Sequence, residues 1–161
     1  MSATTFAGMR ETGRGWYYRL LGTVLFAGYA PIAPGTVGSA VALALYWVLP
    51  FTENGTIAIS FALAGLFLGV PAATYLEQRH GDDPSIVVFD EAVGMWLALV
   101  FLPKIWWVAL ASFLLFRLFD IVKPQPARYF DNMRGGAGIM MDDVIAGVYA
   151  NIAMHIVLLF V

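Results

Sequence analysis

The chain has 161 residues, 9 Lys and Arg against 11 Asp and Glu, a net charge of −2 and 60% hydrophobic residues. Charged residues are 12% of the chain and mean hydropathy is +0.76, where an ordinary soluble domain is roughly 25% charged. These values exclude a disordered chain, a nucleic-acid binder with its basic stripe, and a soluble domain, whose interior at this size cannot hide so much apolar surface. They point to an integral membrane protein.

Residues 1–19 form a polar segment carrying Arg10, Arg14 and Arg19. Residues 20–161 read as a single membrane-embedded domain. Leu20 to Ala30 is apolar but short. It resembles a signal peptide, yet the arginines lie unusually far into the chain and Tyr29 breaks a small-x-small cleavage pattern. An interfacial or re-entrant helix anchored by Trp16, Tyr17 and Tyr18 is expected instead. A Pro/Gly segment from Pro31 to Ser39 follows, leading into a helix over Val41 to Phe51 that can start near Thr36. Thr56 to Tyr75 is the cleanest span, long enough at ~1.5 Å per residue to cross a ~30 Å hydrocarbon layer, with Pro71 kinking its end. After a polar loop from Glu77 to Pro84, Ser85 to Leu102 is apolar apart from Asp90 and Glu91. A turn at Pro103-Lys104 leads to Ile105 to Val122, with Trp106 and Trp107 as interface anchors and Arg117 and Asp120 in its last turns. Lys123 to Met141 is a polar loop, and Val144 to Val161 is the final span. The expected fold is all-α: a polytopic bundle of about five membrane helices plus the N-terminal interfacial or re-entrant helix.

Alternation places residues 1–35, 76–91 and 120–143 on one side of the membrane, and 52–55, 103–104 and the C-terminus on the other. Of the charges, only Glu53 and Lys104 fall on the second side. The positive-inside bias therefore puts the first side in the cytoplasm.

Three segments on that side concentrate the polar groups: Asp90-Glu91, the stretch Asp120 to Asp131 with Lys123 and Arg128, and Gly135 to Asp143, just after Arg134 and ending in Asp142-Asp143. Carboxylates at the ends of membrane helices are costly to ionise unless paired or bound to metal. The chain has no cysteine and two histidines, His80 and His155, which excludes thiolate chemistry and a three-histidine zinc site and leaves an oxygen donor set suited to Mg²⁺, Mn²⁺ or Ca²⁺. Lys123, Arg128 and Arg134 are then the candidate phosphate-binding cations. The open N–H groups of a helix starting near Thr36 and Ser39 also suit a phosphate. Plainer readings stand beside these. Asp142-Asp143 reads as capping acids of the last helix, Asp120 and Lys123 as an i,i+3 ion pair, Thr36 or Ser39 as a cap, and His155 as a packing contact. Asp90-Glu91 inside an apolar run is poorly placed for a cap.

At these residues the chain resembles the phosphatidylglycerophosphatase A family, small bacterial membrane phosphatases acting on a phospholipid headgroup. The matching stretches run from Gly28 through Pro31, Pro34-Gly35-Thr36 and Gly38-Ser39, then Asp90-Glu91 with Gly94-Met95-Trp96. Phe116-Arg117, Asp120, Lys123-Pro124, Pro126 and Asp131 follow, and the last is Gly135-Gly136, Gly138, Asp142-Asp143 and Ala146-Gly147. They cover roughly residues 20 to 160 in the right order. The resemblance implies a Mg²⁺-dependent enzyme of the bacterial inner membrane. Its site would face the cytoplasm and convert phosphatidylglycerophosphate to phosphatidylglycerol and inorganic phosphate. The family's acidic residues map onto Asp90, Glu91, Asp120, Asp131, Asp142 and Asp143, and its basic ones onto Lys123 and Arg128. Glu91, Asp120, Asp142 and Asp143 are the expected metal ligands. The attacking group is either a metal-activated water or an Asp carboxylate.

Other membrane enzymes fit less well. The chain lacks the paired His motifs of histidine-nucleophile lipid phosphatases and the Asp-x-Asp box of haloacid-dehalogenase phosphatases. Asp131 to Gly135 does not match the motif of CDP-alcohol phosphotransferases. The non-enzymatic alternative is a small ion or metabolite carrier. Carrier acids sit near the bilayer midplane on related halves, whereas here they sit at one interface and no repeat is evident.

Overall fold

The computed structural model describes residues 13–161. Among them the structure is all helical, with α1 (Gly13–Gly22), α2 (Pro34–Val48), α3 (Gly55–His80), α4 (Phe89–Leu99), α5 (Trp106–Val122), α6 (Ala127–Asp131) and α7 (Gly136–Leu158), and short 3-10 turns at Ala27–Tyr29 and Pro50–Glu53. Residues 1–12 of the expected polar segment, Arg10 included, lie outside the described residues.

Several boundaries depart from the sequence expectation. The Leu20 to Ala30 stretch is not one helix: α1 ends at Gly22, and Val24, Leu25 and Phe26 take positive φ, a left-handed path that no α-helix follows. α3 runs through Pro71 and on to His80, into the expected polar loop. Just before its last turn Tyr75 and Leu76 pack on α1, Tyr75 against the ring of Tyr18 and Leu76 at Gly22. α4 begins at Phe89 rather than Ser85; Ser85 and Ile86 form a turn closed by the Val87 N–H on the Pro84 carbonyl, and the Val88 N–H bonds the Gly22 carbonyl, both at 2.9 Å. α7 begins at Gly136, so Asp142 and Asp143 lie well inside the helix and do not cap it. Its opening amides are instead bonded by α3, Gly135 N–H by Glu77 and Gly136 N–H by the Thr74 hydroxyl.

α4 is the central helix, short and largely buried. Antiparallel to it lies α3, with Gly55 against Phe101, Phe61 against Trp96 and Gly65 against Val93. α2 and α7 run parallel to α4. The Trp96 indole donates to Ala42 O at 2.9 Å, and Asn151 donates to Ala98 O and Val100 O at 3.2 and 2.8 Å. The second contact satisfies carbonyls at the C-terminal end of α4 that have no helical partner. α5 returns antiparallel, carrying Arg117 to the starts of α2 and α4.

The closest approach is between α4 and α7. A Cβ on Gly147 would collide with the Gly94 backbone, and one on Gly94 with the Asp143 carbonyl and the Phe116 ring. Gly at both positions lets the two backbones touch, the arrangement small residues allow between membrane helices. The outer faces are strongly apolar: Phe67, Trp106 and Ile121 are 78%, 70% and 73% exposed, a surface suited to lipid rather than water. Among the described residues two helices, α3 and α7, are long and apolar enough to cross a membrane, and α2 is a shorter apolar helix.

Because the α4–α7 contact has no room for a side chain, Gly147→Val is expected to destabilise the bundle by about 1–3 kcal/mol through overpacking. It should lower the thermal midpoint in detergent, while Val148→Ala on the exposed face next to it leaves the midpoint unchanged.

Candidate active site

The acids approach one another at the end of the bundle where α2, α4 and α7 start and α5 ends. Asp90 and Glu91 occupy the first turn of α4. Asp143 comes from α7, one turn before Gly147, as Asp90 is one turn before Gly94. The glycine contact therefore sets how closely the two carboxylates meet. Ligand oxygens of Asp90, Glu91 and Asp143 all lie within 4.8 Å of one another. Asp90 and Asp143 are buried. Asp90 Oδ1 and Glu91 Oε2 have no hydrogen-bond partner. Buried acceptors left unpaired are costly, and an oxygen-only trio of this span fits a hard divalent cation. Asp120, in the last turn of α5, also faces Asp143.

Arg117 joins this cluster, and sequence reading did not assign it a role. It pairs with Asp120 at 2.6 Å and Glu91 at 3.8 Å, and donates to the Ser39 hydroxyl at 3.3 Å. Its Nε is buried without a partner. A cation in the body of an apolar helix, three residues before an acid, was the available signal, since such charges are rare without a role. The i,i+3 pair of α5 is thus Arg117 with Asp120, not Asp120 with Lys123. Lys123 ends α5 in a left-handed conformation (φ 48), which turns its side chain off that helix face. It bonds Asp131 on α6 and Asp142 on α7, the latter at 2.6 Å. Burial works against the Lys123 charge, but these two carboxylates outweigh it and hold the ammonium well above the ordinary lysine range.

Both oxygens of Asp142 are engaged, one by Lys123 and the other by the Asp143 N–H at 3.0 Å. Of the four expected metal ligands, the structure brings Glu91 and Asp143 together with Asp90. Asp120 is held by Arg117, and Asp142 by Lys123. Ser39 is fully buried and donates to Gly35 O at 2.8 Å, so it contacts Arg117 from the first turns of α2. Thr36 sits half-buried beside Gly35. A Cβ on Gly35 would run into the Glu91 carboxylate and the Arg117 guanidinium, so the absent side chain lets α2 approach both. Arg128 and Arg134 lie outside the cluster. Arg128 is exposed on α6 and donates to Val122 O at 3.4 Å. Arg134 faces Asp82 at 3.6 Å, both largely exposed, across an acidic cleft of about 170 Å³ that includes Glu77, Asp83 and Asp131. His155 is exposed and makes a local contact with Asn151 O at 3.0 Å.

The sequence profile of the phosphatidylglycerophosphatase A family matches residues 20–158. A protein of Bacteroides thetaiotaomicron, provisionally named a phosphatidylinositol-3-phosphatase, is 44% identical over 144 residues, 85% of this chain and 91% of that one. The phosphatidylglycerophosphatase A of Escherichia coli is 39% identical over 135 residues, covering 81% of this chain and 77% of its own length. That of Haemophilus influenzae is 40% identical over 129 residues, covering 76% and 77%. No solved structure matches the chain. The match spans every element of the carboxylate and cation cluster, and the chain belongs to the phosphatidylglycerophosphatase A family.

Proposed function

We propose that this phosphatase hydrolyses the terminal phosphomonoester of phosphatidylglycerophosphate, releasing phosphatidylglycerol and inorganic phosphate, with Mg²⁺ as its cofactor. The observation that carries the reading is the buried trio Asp90, Glu91 and Asp143, with unpaired acceptor oxygens and with Arg117 at its edge. Those three residues would hold the metal, which supplies charge neutralisation at the phosphate and a more acidic bound water. The rest is the work of the chain. Arg117, fixed by Asp120, Glu91 and Ser39, holds positive charge beside the trio for a phosphate dianion, and its orientation is set before substrate arrives. Lys123 locks α6 to α7 through Asp131 and Asp142 and adds a second cation at the same end. Preorganised cations of this kind stabilise charge that builds on the leaving glycerol oxygen without reorganising during the reaction.

A second substrate reading rests on the Bacteroides relative, whose name specifies an inositol phospholipid. Both substrates present a phosphomonoester on a lipid headgroup. Purified protein in mixed micelles with Mg²⁺ is expected to release phosphate from phosphatidylglycerophosphate, to stop on chelation with EDTA and to recover when Mg²⁺ is restored. Faster release from phosphatidylinositol 3-phosphate would transfer the assignment to the second substrate. Release that is indifferent to EDTA would remove the metal from the proposal.

Asp90→Asn and Asp143→Asn keep the shape of each side chain and remove the charge. Each is expected to lower phosphate release by more than about a hundredfold, as loss of a metal ligand or preorganised charge does, with helicity by circular dichroism unchanged. Asp82→Asn, in the exposed pair with Arg134, is expected to keep wild-type rates. Wild-type turnover in Asp143→Asn would sink the role assignment.

The proposed setting is a cytoplasmic membrane crossed by α2, α3, α4, α5 and α7, with the acids facing the cytoplasm and residues 20–161 acting as one domain. Support comes from the two charges expected on the far side: Glu53 and Lys104 lie 3.8 Å apart at the opposite end of the bundle from the acid cluster. α4 has only 11 residues, about 16 Å of helix, so it spans only where its neighbours cover its ends or the bilayer thins. With no native cysteine, single-cysteine variants report sidedness directly. In intact cells a membrane-impermeant maleimide is expected to label Asn54→Cys and not Asp82→Cys.

A further inference from the structure

α2 and α5 do not close against each other along their whole length. A groove of about 420 Å³ runs between them, with Ala40, Ala44 and Trp47 on one wall and Trp106, Ala109 and Leu110 on the other. Small residues on facing helices normally mark close packing. Here they line an open slot, with exposed Trp47 and Trp106 at its far end.

Helix geometry connects this slot to the carboxylate cluster. On α2, Thr36, Ala40, Ala44 and Trp47 follow one another at four- and three-residue steps, so they share a face. On α5, Trp106, Leu110, Phe113 and Arg117 do the same. Each wall therefore leads to a residue at the active end, Thr36 on one side and Arg117 on the other. Arg117 contacts Ser39 across the same seam, and its side chain is 17% exposed. Ala40 lies about 6 Å and Trp47 about 16 Å along the α2 axis from Thr36 at ~1.5 Å per residue. Half of a ~30 Å hydrocarbon core is ~15 Å, the depth one leaflet's acyl chains reach. The slot thus begins a short way below the cation, and its stretch from Ala40 to Ala44, about 6 to 12 Å from Thr36, lies within that depth, while Trp47 and Trp106 close it toward the Lys104 end.

We propose that the α2–α5 groove is the binding site for an acyl chain of the phospholipid substrate, with its phosphate headgroup held at the Arg117 end. This rests on the lipid-phosphatase reading above. It makes the groove a determinant of chain-length preference: a long chain gains apolar contact along Ala40 and Ala44, and a short chain ends before filling that stretch.

The test compares dipalmitoyl and dihexanoyl phosphatidylglycerophosphate in mixed micelles. Ala44→Trp fills the middle of the groove and Ala40→Phe its entrance; both alanines are exposed, so the added bulk replaces lipid rather than core. Each variant is expected to lose about tenfold in kcat/KM on the dipalmitoyl substrate, the scale of a lost apolar subsite, and to stay within about twofold on the dihexanoyl one. Leu118→Trp, exposed elsewhere on α5, should alter neither. Equal losses on both chain lengths, or no loss on either, overturn the groove proposal while leaving the phosphatase reading intact. A changed oligomeric state in both filled variants would assign the groove to a second copy of the chain and likewise overturn it. Failure of the wild-type protein to release phosphate from either substrate overturns the lipid-phosphatase reading and the groove proposal with it.

Discussion

The contact between Gly94 and Gly147 governs the arrangement of the active end. These residues let the α4 and α7 backbones touch, and each follows an acid by one helical turn, Asp90 on α4 and Asp143 on α7. Two carboxylates one turn from a backbone contact are forced close together. In a low-dielectric interior that proximity is strongly unfavourable without compensating positive charge. Much of the surrounding structure supplies that compensation. Arg117 reaches in from α5 to Glu91 and Asp120, Ser39 orients it from α2, and Lys123 draws Asp142 and Asp131 together at the margin. Gly35 carries the same logic to α2, since a side chain there would strike both Glu91 and Arg117.

The bundle around this end is built to hold it. α4 is too short to be stable alone and is surrounded by α2, α3, α5 and α7. Its own Trp96 ties it to α2, and Asn151 of α7 takes the carbonyls left open at its C-terminus. The start of α7 is bonded by Thr74 and Glu77 of α3. Both helices that carry the trio thus have an end bonded by a neighbour, α4 by α7 and α7 by α3, and a charge cluster that opposes its own formation is kept in one geometry by apolar packing and hydrogen bonds away from it.

The sequence placed the acids at one end of the helices because scarce charges in an apolar chain collect where they can be solvated or paired. Their grouping was less legible. Asp142 and Asp143 are adjacent in sequence, but successive residues on a helix point about 100° apart, so one faces Lys123 and the other Asp90. A three-residue spacing allows Lys123 to pair with Asp120, yet the left-handed turn at Lys123 sends its side chain elsewhere. Arg117 was visible as an odd charge in an apolar run, and only the crossing of α5 over α2 and α4 gives it a function in the cluster.

Composition and pattern alone determined an all-helical, apolar chain, the order of its long helices, the oxygen-only donor set and the separation of Glu53 and Lys104 from the other charges. These are local properties, set by hydrophobicity, residue chemistry and alternation along the chain. The tertiary structure decided which acids form the trio, which cation stands beside them, where α4 and α7 begin, and that α2 and α5 leave a groove open. Those outcomes depend on how closely two backbones approach and at what crossing. That is fixed by glycines whose neighbours come from helices distant in sequence, so no local spacing encodes it.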